Sequence, residues 1–242
     1  MENNIKKHTL LKSIVLHLLP GFLVGGFYFA IAPFIKEQGY PSVMALILAG
    51  IFVLIPFELG FLLYQKRLKS VKLFNGVIKY CQRIPVWQYF VWVPIVSAII
   101  GLIFTVLNFT SDFFLTFFDW IPQNMHLDMG LSQEFSKQNL IITYASFFLF
   151  VVLILPTIEE LYFRGYLLPR MPAKLKGWSP IVHSSLFALY HIWTPWMFVA
   201  RTLGILPLIY MVRRKNIYLG IIVHCLINSI DFITALIYIL NY

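Results

Sequence analysis

The chain has 242 residues, of which 60% are hydrophobic and only 12% are charged. Soluble domains average about 25% charged residues, so this composition excludes an ordinary soluble enzyme and a disordered chain. The formal net charge of +9 would suggest a nucleic-acid partner in a soluble protein, but basic loops explain it better in a membrane protein. We therefore expect a polytopic membrane protein whose partner is the lipid bilayer, and no nucleic-acid partner.

Seven apolar segments follow one another along the chain and predict an all-α integral membrane helix bundle. They cover residues 11–35, 42–64, 87–109, 139–168, 180–195, 196–212 and 217–240. The expected count is about seven transmembrane helices, that is, seven to eight. The fifth and sixth segments are short and share the turn Thr194-Pro195-Trp196, so a tight hairpin or a partly re-entrant pair is the alternative.

The distribution of basic residues predicts the orientation. Most of the 19 Lys and Arg residues precede the first segment or lie between the second and third, the fourth and fifth, and the sixth and seventh. The positive-inside rule then predicts a multi-pass cell-membrane protein with a cytoplasmic N-terminus and an extracytoplasmic C-terminus. Within Lys66–Arg83, apolar and basic residues occupy opposite faces, which predicts one interfacial amphipathic helix; a solvated loop is the alternative.

Ionisable side chains inside apolar helices cost about 2.5–3.5 kcal/mol on insertion scales, so those present are candidates for function. Glu159 and Glu160 are adjacent near the end of the fourth segment. Glu160 and Arg164 are four residues apart with the acid first, the favourable order for an intrahelical ion pair. Glu159 points about 100° away from Glu160 and has no such partner, so we predict that it faces the bundle interior as a candidate general base. A purely structural ion-pair cluster is the alternative.

Two other segments carry polar residues at a similar depth. His191 lies in the fifth segment, and His224, Asn228 and Asp231 fall on one face of the seventh. At about 1.5 Å per residue, Glu159, His191 and His224 each lie roughly 13–16 Å from the nearest basic loop. Polar residues that serve only helix packing need not lie at the same depth. We therefore expect Glu159, His191 and His224 to share one polar cavity within the membrane.

The residue types in this cavity indicate hydrolysis of an amide by an activated water. A glutamate and a histidine can hold and deprotonate water, and a second histidine with an asparagine can donate hydrogen bonds to an oxyanion. Glu159, His191 and His224 could instead bind zinc with one open position. The sequence has no HExxH motif, and these residues alone leave both alternatives open.

Three short motifs resemble those of the CPBP family, which comprises the CAAX proteases and bacteriocin-processing enzymes and is also called Abi. They are Glu159-Glu160-x-x-x-Arg164, Phe187-x-x-x-His191 and His224-x-x-x-Asn228, in that order and on separate segments. The resemblance covers roughly residues 139–240 and implies an intramembrane endopeptidase related to the type II CAAX prenyl endopeptidases. Residues 139–242 would then be a CPBP-like catalytic bundle, integrated with N-terminal membrane helices and the interfacial helix in residues 1–138.

The resemblance also implies residue roles. Glu159 would be the catalytic base, His191 would help to hold the water, and His224 with Asn228 would stabilise the oxyanion. Supporting roles are implied for Glu160, Arg164 and Phe187. The family's glutamate-based mechanism needs no metal, so no cofactor is expected, with zinc as the alternative. The expected substrate is a membrane-associated peptide or protein, prenylated or not, cut near the cytoplasmic face.

Two other classes of function are compatible with a membrane protein of this kind. A non-catalytic bacteriocin-immunity or scaffold protein would keep the fold, and Glu159 could then be replaced without loss. A proton-coupled transporter would also carry carboxylates and histidines in the membrane. That class predicts paired broken helices or an internal repeat, and the sequence shows neither.

Overall fold

The computed structural model describes residues 5–242, and the predicted all-α fold is confirmed there because no β-strand occurs in that range. Seven helices form the bundle. They are α1 (Leu10–Glu37), α2 (Val43–Leu68), α3 (Trp87–Phe118), α4 (Lys137–Arg170), α5 (Ser179–Tyr190), α6 (Pro195–Arg214) and α7 (Ile217–Leu240). Parts of α2 and α4 have π-helical geometry, and α6 begins with a short 3₁₀ turn.

Six helices in the described chain are long and apolar enough to cross a membrane, and α5 is the exception. The predicted count of seven to eight is therefore not confirmed. Helix α5 has 12 residues, which is about 18 Å and less than the roughly 30 Å of a hydrocarbon core. The helix stops because His191 leaves helical geometry, with φ −83° and ψ 61°. Beyond it the chain continues to Trp196, whose ring stacks on His126 of the loop between α3 and α4.

Contacts of α4 define two ends of the bundle. At the end of α4, the backbone N–H of His8 donates to the carbonyl of Arg170 at 2.8 Å. Just before the start of α4, the hydroxyl of Tyr242 donates to the carbonyl of Phe135 at 2.8 Å. His8 and Tyr242 thus lie at opposite ends, which we call the basic end (that of Arg170) and the loop end (that of residues 119–136).

The predicted interfacial helix is not confirmed, because the chain between Leu68 and Trp87 contains no helix. Ser70, Asn75 and Tyr80 have φ values of 50°, 64° and 61°, and such left-handed residues interrupt helical periodicity. The segment is a solvated loop only in part, since Val71 and Phe74 are 38% and 41% exposed whereas Val77 and Ile78 are fully buried. It folds back to close the basic end of the bundle.

The first helix approaches the end of α5 very closely. A β-carbon at Gly21 would lie 2.1 Å from the carbonyl oxygen of Tyr190, and one at Gly25 would lie 2.4 Å from the side chain of Ile192. Only glycine permits this contact without displacement of backbone. The close approach holds the point where α5 ends, and that point carries His191.

Candidate active site

Helix α4 presents Glu159 to the interior of the bundle. This side chain is 7% exposed, and its Oε1 accepts a hydrogen bond of 3.0 Å from the hydroxyl of Tyr190 on α5. Its second oxygen, Oε2, lies 3.8 Å from Nε2 of His224 on α7. One carboxylate oxygen is therefore anchored, whereas the other is available to a small molecule beside His224.

The predicted ion pair is present behind Glu159. Nη1 of Arg164 lies 3.2 Å from Oε1 of Glu160, and both side chains are completely buried. The Arg164 guanidinium also lies 3.8 Å from the centre of the Phe187 ring, in cation–π geometry. A β-carbon at Gly220 would come within 3.0 Å of Oε2 of Glu160, so this glycine lets α7 pack directly against the carboxylate.

His224 is oriented by the same carboxylate. Its Nδ1 lies 2.9 Å from Oε1 of Glu160, a distance that fits a charge-assisted hydrogen bond. Because a carboxylate only accepts, Nδ1 carries the proton and Nε2 is directed toward Glu159.

His191 is the residue at which α5 ends. Its Nδ1 lies 2.9 Å from the carbonyl oxygen of Phe187, one turn earlier. A carbonyl accepts, so Nδ1 is the donor and the unprotonated Nε2 remains as an acceptor in the neutral ring. The ring packs edge-on against Phe187 and Tyr190, with centroid distances of 4.8 Å and 4.7 Å.

Asn228 is held by an irregularity in α4. The segment Phe148–Ile154 is π-helical, so each carbonyl there accepts a hydrogen bond from the N–H five residues later. For Val151 that residue is Pro156, which has no N–H. The side-chain amide of Asn228 supplies the missing donor, at 2.9 Å from the carbonyl oxygen of Val151. The second N–H of the amide is left for another acceptor.

One cavity of about 250 Å³ brings the four predicted catalytic residues together. Glu159, His191, His224 and Asn228 line it, and so does Phe187. Glu160 and Arg164 lie behind its wall. Its remaining surface is largely apolar and extends from Glu159 to Leu127 and Met129 in the loop between α3 and α4. The cavity thus runs toward the loop end.

Sequence reasoning missed three residues at this site. Tyr190 was not singled out because helix periodicity turns it about 100° from its neighbour His191. The end of α5 at His191 brings both rings to the site, and no local signal in the sequence reveals that. No role was predicted for Arg201 or Asp231, and both line the cavity.

A metal site was the alternative to a water held by protein groups alone. Within residues 5–242, no group of three or more His, Cys, Asp or Glu side chains is arranged to hold a metal ion. Two of the predicted ligand atoms, Oε2 of Glu159 and Nε2 of His224, are 3.8 Å apart, a separation that two ligands of one zinc ion can have. Because no third side chain of the described residues completes such a group, we derive no step that involves a metal.

Residues 141–230 match the model of one protein family, described as type II CAAX prenyl endopeptidase Rce1-like. The match confirms the resemblance seen in the three motifs, since Glu159, His191, His224 and Asn228 all lie inside the matched range. It indicates protease activity of the CAAX-protease type in a multi-pass membrane protein. Neither the curated proteins nor the solved structures gave a match to the chain.

Proposed function

We propose, from the family match of residues 141–230, that this protein is an intramembrane endopeptidase that cleaves a membrane-associated peptide or protein. The observation that carries the proposal is the position of Glu159. One of its oxygens is held by Tyr190 and the other faces the cavity beside Nε2 of His224. A carboxylate held in this way can take a proton from a water and keep its orientation during the reaction.

The proposed reaction begins with a water held between Glu159 and Nε2 of His191. Glu159 removes one proton, and the resulting hydroxide attacks the carbonyl carbon of the scissile peptide bond. The negative charge then develops on the former carbonyl oxygen. The free N–H of Asn228 donates to this oxygen, and so does His224 when it carries a second proton, on Nε2.

Collapse of this intermediate breaks the C–N bond. The leaving nitrogen takes the proton held by Glu159, so that a carboxylic acid and an amine are released and the carboxylate is regenerated. Glu160 acts through His224, because its carboxylate holds Nδ1 and thereby fixes the direction of Nε2. Arg164 in turn holds Glu160. Both are positioning residues in this scheme.

The shape of the cavity supports a peptide as the substrate. Its walls are largely apolar and suit apolar side chains, and its polar lining includes the four predicted catalytic residues. A volume of about 250 Å³ is below the roughly 300–1,000 Å³ typical of sites for drug-sized ligands. A polypeptide segment therefore needs more room than the cavity itself provides.

The decisive experiment compares wild type with Glu159→Gln in the native host. Mass spectrometry of membrane peptides should reveal products that are present with wild type and absent with the variant. Glu134→Gln, at an exposed position in the loop before α4, is the matched control and should leave the products unchanged. Identical peptide profiles together with an intact host phenotype in Glu159→Gln would instead favour a scaffold or immunity role. Loss of proton-dependent solute uptake without any change in peptides would favour a transporter.

A further inference from the structure

A half-buried arginine in the same cavity has no carboxylate of the described chain in salt-bridge contact. Arg201, in the second turn of α6, lines the cavity together with Glu159 and His191. No carboxylate of the described chain lies within 4 Å of its guanidinium, although Asp231 lines the same cavity. An unpaired charge inside a membrane protein is costly and commonly marks a functional site.

The groups that do contact Arg201 are neutral. Nη2 donates to Oγ1 of Thr194 at 3.1 Å and lies 3.4 Å from Sδ of Met197. Nη1 is 3.5 Å from the Thr194 carbonyl, a marginal distance for a hydrogen bond. Both partners belong to the turn at the loop end. They hold one edge of the guanidinium and leave the rest of its five N–H groups to the cavity.

The two buried arginines of the described chain are engaged away from the cavity. Arg164 is paired with Glu160. Arg170 donates to the carbonyls of Tyr166 and Val77, at 2.8 Å and 3.1 Å, and lies at the basic end away from the cavity. Arg201 is thus the cation that the cavity itself offers to a ligand.

We propose that Arg201 is the anchor for a carboxylate of the substrate, so that the cavity selects apolar peptides bearing a carboxylate toward the loop end. This inference rests on the proposed function and extends it to substrate class. A guanidinium binds a carboxylate through two parallel N–H···O bonds, which fix orientation as well as affinity. The carboxylate has two sources, the free C-terminus of a peptide or an acidic side chain within it.

The test measures binding, so it does not depend on cleavage. Full-length Glu159→Gln protein in detergent is titrated with three dansyl-labelled pentapeptides built from Leu, Ile and Ala. The first has a free C-terminal carboxylate, the second a C-terminal amide, and the third an amide with one internal glutamate. Fluorescence anisotropy gives a Kd for each, with and without the additional Arg201→Gln change. Arg214→Gln, at an exposed position near the end of α6, is the matched control.

We expect the free acid to bind about ten- to hundredfold more tightly than the amide, and we expect Arg201→Gln to abolish this preference. Arg214→Gln should retain it. If the glutamate-containing amide alone shows the Arg201-dependent gain, the anchor takes an acidic side chain; if the free acid alone shows it, the anchor takes the C-terminus. Equal binding of all three peptides, no binding at millimolar concentration, or a preference that survives Arg201→Gln would overturn the proposal.

Two further comparisons keep the result interpretable. If Arg201→Gln does not fold, the proposal is decided by the ratio of the amide Kd to the free-acid Kd in protein that keeps Arg201. Arg201→Lys should reduce that ratio without removing the preference, because a single ammonium loses the bidentate geometry. A carboxylate preference without any proteolysis by wild type would contradict the proposed function and leave the anchor standing. Proteolysis without a carboxylate preference would contradict the role of Arg201 and leave the proposed function standing.

Discussion

Nδ1 of His224 lies 2.9 Å from Oε1 of Glu160, and this bond joins α7 to α4 at the candidate active site. The same oxygen lies 3.2 Å from Nη1 of Arg164. Glu160 therefore connects a buried cation with the imidazole that faces Glu159. The second glutamate of the adjacent pair orients the site, while the first lines the cavity.

Removal of either member of the Glu160–Arg164 pair should destabilise the protein. Glu160→Ala and Arg164→Met each leave the other charge buried without its partner, which costs about 3–5 kcal/mol. Thermal unfolding in detergent would measure the loss, with Arg214→Met as the exposed control. Wild-type stability in both variants would show that the charges are compensated by groups other than each other.

Asn228→Ala should lower kcat by about 10²–10³-fold with little change in KM, as expected for the loss of an oxyanion donor. The variant also leaves the Val151 carbonyl without a donor, so some stability should be lost as well.

A second substitution separates these two effects of Asn228→Ala. Pro156→Ala restores the backbone N–H that can reach the Val151 carbonyl within the π-turn. The double variant should therefore recover stability without recovering turnover. Recovery of both would mean that Asn228 acts only through the structure of α4.

Tyr190→Phe should reduce kcat about tenfold or more, because Glu159 loses the 3.0 Å hydrogen bond that holds its Oε1. The phenyl ring keeps the packing against Phe163 and Phe187, so the unfolding temperature should change little. Steady-state kinetics on a cleaved peptide would measure the effect. Unchanged kcat would mean that the orientation of Glu159 is set by the backbone of α4 alone.

Metal chelators should leave proteolysis intact. The prediction rests on residues 5–242, in which no group of three or more candidate ligand side chains is arranged to hold a metal ion. Activity would be assayed after dialysis against 1,10-phenanthroline, with and without added zinc. Loss of activity that zinc restores would favour the alternative in which Glu159, His191 and His224 bind the metal.

The protein should lose stability in mild acid through His8, which lies outside the membrane-spanning helices. Burial, together with the charges of Lys12, Arg170 and Lys69, lowers the pKa of His8 from 6.5 to about 4. The unfolded state therefore binds a proton before the folded state does, and the stability present above pH 6.5 is lost as the pH falls toward 4. Between pH 7 and pH 5 the loss is at most about 2 kcal/mol. Unfolding of His8→Asn should depend less on pH over this interval, and an identical dependence would assign the acid sensitivity to other groups.

The sequence predicted the all-helical fold, the ion pair and the grouping of Glu159, His191, His224 and Asn228 around one cavity. Each follows from local rules, because helix periodicity sets which residues share a face and rise per residue sets their depth. The same rules predicted a helix over Lys66–Arg83, where the structure has none. There Val77 and Ile78 are buried by the bundle while Val71 and Phe74 stay exposed, and left-handed residues turn the chain back.

What the sequence determined by itself was therefore the type of each segment and the depth of each polar residue, since both depend on neighbours along one helix. Only the tertiary structure decided which partners these residues have. The hydroxyl of Tyr190 meets Glu159 because α5 ends at His191, and the amide of Asn228 meets Val151 because Pro156 lacks an N–H in a π-turn. Such contacts join residues that are distant in sequence, and they depend on how helices end and bend as they pack.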